Sequence, residues 1–339
     1  MQEIEKTIKD RAKQLLDESV VDRVLGWKKG EYGYDNTPAV FFKDDLDGLV
    51  YNSFCGANLS KYLIAESKKD GKIMVPLKPC DTYSFNQLVK EHRIDRSKIY
   101  VLGIPCHGMA DKDKMHAKGI KGITGVKEHV HMKGVEDGED DYSELEVSTV
   151  YGDKMCRTQD VLLEKCMACK GKECVVFDEI VEDKHPLPSR AYDRFGMVKR
   201  LENMTPDERF AFWRSELSKC IRCNACRNAC PACSCLKCVF DNDASGISSK
   251  ANVDTFEENM FHIIRAYHVA ARCTDCGECS RVCPQGIPLH LLNRKFIKDI
   301  NEFYGDYQAG SDDESPWPLV EYTQDDVEPG AAHGKGGGN

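Results

Sequence analysis

Residues 220–231 read CIRCNACRNACP, and residues 273–284 read CTDCGECSRVCP. Both follow one spacing, Cys-x2-Cys-x2-Cys-x3-Cys-Pro, in which three closely spaced thiolates hold three corners of a cubane and the fourth cysteine ligates the other cluster. The short spacing lets one tight loop wrap a cluster and offer backbone N–H groups to its sulfurs, after which the proline turns the chain away. By that rule one 4Fe-4S cluster takes Cys220, Cys223, Cys226 and Cys283, and a second takes Cys273, Cys276, Cys279 and Cys230. Zinc also binds paired Cys-x2-Cys units, but a zinc site needs two pairs and gains nothing from a reciprocal third and fourth cysteine. The 42 residues between the runs, 231–272, are far longer than the turn of a compact ferredoxin and hold a helical stretch. An α-helical dicluster ferredoxin-like fold is expected. Cys233, Cys235 and Cys238 are surplus, and stand as alternatives to Cys230 as fourth ligand or as ligands to something additional.

Helix signals surround the two runs. Thr205-Pro206-Asp207-Glu208 is a capping box with proline at the first helical position, and Phe210, Trp213 and Leu217 follow at core spacing into Cys220. A second helix is expected over about 254–272. Its Phe256, Phe261, His262, Tyr267 and His268 read as packing around clusters rather than as haem ligands. A third places Leu289, Leu292, Phe296, Ile300 and Phe303 on one face and stops at Gly305. Residues 184–206, KHPLPSRAYDRFGMVKRLENMTP, read as a linker with the domain boundary near 190. The acidic, then glycine-rich end is expected to be a disordered tail. The expected domains are thus 1–190, 191–308 and the tail 309–339.

The first of these has the punctuation of an α/β domain. Residues 56–67 read as a helix, KIMVPL (72–77) as a strand, TYSFNQLVKEH (82–92) as a helix and KIYVLGI (98–104) as a strand. This order predicts a parallel pair with a right-handed crossover helix. Pro79-Cys80 and Pro105-Cys106 follow the two strands, which sets both cysteines at the carboxyl ends, where open α/β sheets bind ligands. Lys165-Cys166-x2-Cys169-x4-Cys174 adds thiolates. Cys80, Cys106, Cys166 and Cys169 are candidates for a third 4Fe-4S cluster, with Cys55 or Cys174 as substitutes; free core thiols or a zinc site are the alternatives. Residues 118–153 read as a hairpin whose tip carries the acids between Glu136 and Glu146. His107 reads as a satisfied loop histidine before it reads as a proton donor. Arg222, Arg227 and Arg281 read as solvated charges first, and otherwise as a dock for an acidic ferredoxin or a means of tuning potential.

The chain has 339 residues, 47 Lys+Arg against 56 Asp+Glu, and a formal charge of −9. That balance argues against nucleic acid as a partner, because counterion release needs a basic face. No apolar run approaches the ~20 residues of a membrane span, and the N-terminal MQEIEKTIKDRAKQLL lacks the apolar segment of a signal peptide. A cytoplasmic protein is expected. In a reducing compartment 18 cysteines point to metal ligation rather than disulfides.

FCGANLSKYL (54–63), VPLKPCDTYSFNQLVKEH (75–92), YVLGIPCHGM (100–109) and KCMACKGKECVVFDE (165–179) resemble the beta subunits of coenzyme F420-reducing hydrogenases and formate dehydrogenases. FWRSELSKCIRCNACRNACPACSC (212–235) and FHIIRAYHVAARCTDCGECSRVCPQGIPLHLLNRKF (261–296) resemble the dicluster module of heterodisulfide-reductase-type electron-transfer proteins. Together they cover most of 20–305. The resemblance implies an α/β core that binds FAD and carries one cluster, fused to two more, with Cys55, Gly56, Asn58 and Asp81 marking the candidate flavin region. Where many such subunits have a glycine-rich turn, residues 53–58 here read SFCGAN, and no Gly-x-Gly-x-x-Gly is present. It further implies an iron–sulfur electron-transfer subunit whose partners are other subunits of a hydrogenase, formate dehydrogenase or heterodisulfide-reductase-like complex, and a ferredoxin. No acid–base or nucleophile constellation stands out, so a subunit is expected rather than an autonomous enzyme. The alternatives are a flavin-dependent oxidoreductase acting itself on reduced deazaflavin or NAD(P)H, and a zinc-structured interaction protein.

Overall fold

The computed structural model describes residues 1–132, 142–171, 173–186, 193–242, 255–315 and 317–319. The N-terminal part is built on two sheets. Their strands are β1 (Arg23–Lys29), β2 (Asn36–Phe41), β3 (Leu49–Val50), β4 (Ile73–Leu77), β5 (Ile99–Gly103), β6 (Ile123–His131), β7 (Tyr142–Thr149), β8 (Lys154–Arg157) and β9 (Glu179–Ile180). The main sheet runs β2-β1-β4-β5-β9, with β3 also paired to β1. β4 is parallel to β1 and β5, and β9 is parallel to β5, whereas β2 and β3 are antiparallel to β1. Every residue of β4 is buried, as expected of a strand covered on both faces.

The expected strand–helix–strand unit is present. Ile73 pairs Ile99 and Leu77 pairs Gly103, and the connection is the Pro79–Lys90 helix, opened by a proline. Phe85 and Leu88 of that helix join Leu25, Trp27, Val75, Leu77, Val101 and Leu102 in the core. The N-terminal Gln2–Asp17 helix adds Ile4, Ile8, Ala12 and Leu15 on one stripe. The helix expected at 56–67 is shorter. It starts with a 3-10 turn at Leu59–Tyr62, because the Asn58 side chain accepts the Ser60 N–H and caps it there, and runs on as Leu63–Glu66.

β6, β7 and β8 form the antiparallel second sheet. Of the acidic hairpin tip, residues 136–141 lie outside the described residues, while Glu144 and Glu146 stand on β7 opposite His129 and Lys127. Of the linker reading, 187–192 also lie outside, and beyond them Gly196–Glu202 is a helix with Val198 and Leu201 buried. Within the expected tail, Ala309 is buried and Gly310, at φ +75°, lies so close to the Tyr83 backbone that a Cβ would collide with its carbonyl. Residues 309–315 therefore belong to the packed chain, while 320–339 lie outside the described residues.

The C-terminal part is helical: Pro206–Leu217, Ala225–Ala229, Thr255–His268, Glu278–Arg281 and His290–Tyr304. Thr205 and Glu208 close the capping box, and Gly305 ends the last helix. Expected packing positions on three helices turn to solvent. Phe210, Phe256, Tyr267 and Phe303 are exposed, and the last helix buries Leu291, Arg294, Ile297 and Ile300. The cysteine loops occupy much of the space such side chains would fill, so Phe261, Leu217, Phe240, Ile287 and Leu289 pack among Cys226 and Cys279. An ion pair from Arg294 to buried Asp275 at 2.8 Å holds the last helix in this setting. Among the described residues no helix is long and apolar enough to cross a membrane.

Candidate metal centres

The two cysteine runs repeat in backbone as well as in spacing. Arg222 and Asp275, the third residues of each, have φ of 54° and 55°, and Asn224 and Gly277, the fifth, have φ of 61° and 67°. Each loop then enters a short helix, Ala225–Ala229 in one and Glu278–Arg281 in the other. The alternating left-handed residues coil the loop so that its cysteines converge on one side. The Arg222 N–H donates to Cys220 Sγ at 3.4 Å, and the Asp275 N–H stands in the same relation to Cys273.

Cys220, Cys223, Cys226 and Cys283 line one cavity, with Pro284, Phe261 and His262. His262 Nε2 lies 3.3 Å from Cys220 Sγ. Burial pushes the His262 pKa down to about 3, so the ring is neutral and free to offer an N–H to that sulfur. Cys230 packs beside Cys273 of the other run, and its thiol hydrogen-bonds with that of Cys233 and acts electrostatically on those of Cys273, Cys276 and Cys279 as well as on Cys226. The surplus Cys233, Cys235 and Cys238 line a separate cavity with Lys61, Arg227 and Arg272.

A further cavity opens at the carboxyl ends of β4 and β5. Cys80 and Cys106, each just past its strand, meet Cys166 and Cys169 there. Lys78, Lys165 and Lys170 stand in the same wall. Burial raises the Cys106 thiol to about 12 and the Cys80 thiol well above its ordinary value. Four sulfurs ringed by three lysines suit a group that takes thiolate ligands and carries net negative charge, which is the donor set of an iron–sulfur cubane. Cys55 and Cys174 lie outside this ring. Cys55 is buried in the sheet core, where it accepts the Asn52 N–H at 3.3 Å, and Cys174 sits beside Gly103 and Leu77.

The second cysteine run reaches this cavity. Asp275 and Cys276, from the second cysteine run, form part of the wall that holds Cys80, Cys106, Cys166 and Cys169. Burial would neutralise Asp275, but Arg294, Arg194 and Lys170 outweigh it and hold the carboxyl below its usual range. Lys165 pairs with Glu278 at 2.6 Å and donates to the Gly56 carbonyl at 3.1 Å, and Glu278 also takes Arg281. The sequence contained no signal for this buried Lys165–Glu278–Arg281 cluster, because its members are remote along the chain and separately look like surface charges.

Other expected residues are placed differently. Cys55, Gly56, Asn58 and Asp81 are all buried and turned to internal use: Asn58 donates to Ser84 Oγ at 2.9 Å, and Asp81 pairs with Lys78 at 2.7 Å. The side chains of Asn58 and Asp81 are taken up by these internal contacts. Arg222, Arg227 and Arg281 are no set of solvated charges. Arg222 is buried over the Phe261 ring at 4.2 Å, Arg227 pairs with Asp241 at 3.0 Å, and Arg281 pairs with Glu278 at 2.7 Å. His107 is held between Glu128 at 2.8 Å and Asp183 at 3.1 Å, as a satisfied histidine should be.

Residues 216–287 match the 4Fe-4S dicluster domain family. The chain therefore contains an iron–sulfur dicluster domain, which implies two 4Fe-4S clusters, attached to an α/β part. Over 90% of its length it is similar to the beta subunits of F420-dependent formate dehydrogenases. It is 26% identical to that of Methanocaldococcus jannaschii, covering 91% of it, and 29% identical to that of formate dehydrogenase 1 of Methanococcus maripaludis, covering 90%. A chain of the F420-reducing NiFe hydrogenase complex from Methanosarcina barkeri aligns with a TM-score of 0.33 at 14% identity, over 48% of this chain and 57% of that one, a likeness too slight to carry the fold.

Proposed function

We propose that this chain is the iron–sulfur electron-transfer subunit of a formate-dehydrogenase-type redox complex. It would hold three 4Fe-4S clusters and act between a partner's cofactor and a soluble hydride carrier of the F420 kind named for its relatives. The observation that carries the proposal is the cavity lined by Cys80, Cys106, Cys166 and Cys169, whose wall also includes Cys276 of the second cysteine run. Bound there, the clusters would supply one-electron chemistry; the protein supplies spacing, burial and charge.

The residue roles follow from placement. Cys220, Cys223, Cys226 and Cys283 would ligate one cluster, Cys273, Cys276, Cys279 and Cys230 the second, and Cys80, Cys106, Cys166 and Cys169 the third. Lys78, Lys165 and Lys170 compensate charge at the third, and His262 offers an N–H to a ligand of the first. Cys223 is exposed and Ile221 near it is 57% exposed, so the first site reaches the surface and suits contact with a partner subunit or a ferredoxin. The proposal includes the division into 1–190 and 191–308 and a cytoplasmic setting.

An anaerobic preparation, with iron, sulfide, zinc and flavin measured on one sample, tests it. Iron near twelve per chain, at about four per cubane, is the expected result. Iron near eight would limit the chain to its dicluster domain, and zinc in place of iron would overturn the proposal. Stoichiometric FAD would add a flavin role that Cys55, Gly56, Asn58 and Asp81 do not explain.

A further inference from the structure

Arg265 lies in the Thr255–His268 helix and is 1% exposed. Its Nε and both terminal nitrogens have no hydrogen-bond partner among the described residues. A buried guanidinium stripped of water and left without acceptors is among the most heavily penalised arrangements a fold can hold. Arg265 lies between Phe261, which packs with Cys226 and Cys279, and Val269, which packs with Cys230 and Cys273, and its side chain also lines the cavity of Cys233, Cys235 and Cys238. Cys226 belongs to the first cysteine quartet, whereas Cys230 and Cys279 belong to the second. The side chain thus stands between the two quartets with its donors unspent, and five N–H groups in a planar fork can serve acceptors on more than one side.

We infer that Arg265 is a shared counter-cation, positioned to donate hydrogen bonds toward both clusters of the dicluster domain and to hold both reduction potentials up. The inference rests on the iron–sulfur reading above. Reduction adds one electron, and so one negative charge, to a cluster that is already anionic with four thiolates. A fixed cation at contact range favours the reduced form of each, and hydrogen bonds to the sulfurs act in the same direction. The cavity of Cys80, Cys106, Cys166 and Cys169 has its own lysines and does not include Arg265. The effect is therefore confined to the two C-terminal centres.

The test is a redox titration of the full chain, followed by electron paramagnetic resonance with dithionite as the electron donor, on wild type, Arg265→Gln and Arg265→Lys. Iron per chain is measured on each sample. Arg265→Gln should keep its iron while both C-terminal midpoints move to more negative values and the third signal stays in place. Arg265→Lys, which keeps the charge, should recover part of each shift. A midpoint shift in only one C-terminal centre, or in neither, would overturn the inference. If Arg265→Gln loses iron, Arg265→Lys carries the test: retained iron with both midpoints lowered supports it, and loss of iron there too overturns it. A wild-type chain without two C-terminal signals would instead overturn the iron–sulfur reading itself.

Discussion

Cys230 and Cys233 are three positions apart, joined by a backbone hydrogen bond of 3.2 Å and by a hydrogen bond between their thiols, and they differ in what else each side chain meets. Cys230 is buried against Cys273, Cys276 and Cys279. Cys233 lines the cavity of Cys235 and Cys238, and its carbonyl accepts from Lys61 at 2.6 Å. A cubane iron left without its fourth thiolate is exposed to solvent and lost readily. Cys230→Ala should therefore remove one cluster and lower the iron content by about four per chain, whereas Cys233→Ala should leave it unchanged. Iron and sulfide analysis of the two variants decides, and equal losses would refute the assignment. The spacing rule assigns Cys230 and leaves Cys233 as an alternative, and the burial of Cys230 beside Cys273 favours the assignment.

At the scale of the element, the paired loops show how a repeat is enforced. Each needs left-handed backbone at its third and fifth positions, supplied by Arg222 and Asn224 in one and by Asp275 and Gly277 in the other. Asparagine tolerates that region. At 277 an added Cβ would meet the Cβ of Lys165, which is anchored by Glu278. Gly277→Ala should therefore cost about 2 kcal/mol from conformation alone, and more from the collision, while Asn224→Gly should be close to neutral. Urea unfolding of both variants checks this, and a Gly277→Ala midpoint equal to wild type would exclude the close approach. The loops, the capping box at Thr205 and the β4–helix–β5 unit were legible because their signals are local. The exposed positions of Phe210 and Phe303 were not. Helical periodicity assumes a hydrocarbon core, and this one is lined by sulfur and by the buried Arg294–Asp275 pair.

Across the whole molecule the two parts differ in what holds them. The α/β part has a continuous apolar core that includes Trp27, Leu25, Met74, Val75, Phe85, Val101 and Leu102. Around the cysteine loops the apolar residues buried among the sulfurs fall into two small clusters, Leu217, Phe240, Phe261, Ile287 and Leu289 in one and Ala232 and Val269 in the other. The seam between the parts is polar: Arg272 Nε donates to Glu91 at 2.9 Å, Ser84 Oγ meets Thr274 Oγ1 at 2.7 Å, and Lys165 reaches Glu278. None of these long-range pairs was legible in the sequence, although all four cysteines of the N-terminal cavity were, because two of them follow strands whose ends must be neighbours. A small core interrupted by cysteine clusters cannot offset the chain entropy of its helices on burial alone, and metal–thiolate bonds must contribute folding free energy directly. Removing iron under anaerobic, reducing conditions should therefore unfold the Pro206–Leu217, Thr255–His268 and His290–Tyr304 helices while the sheet core persists. Circular dichroism should lose helical signal with little change in the strand contribution, and limited proteolysis should cut first between residues 193 and 304. The small C-terminal core makes the opposite result informative: an iron-free chain with full helicity and wild-type protease resistance would show that protein contacts alone hold these helices, and that the thiol cavities are preformed rather than folded around their metal.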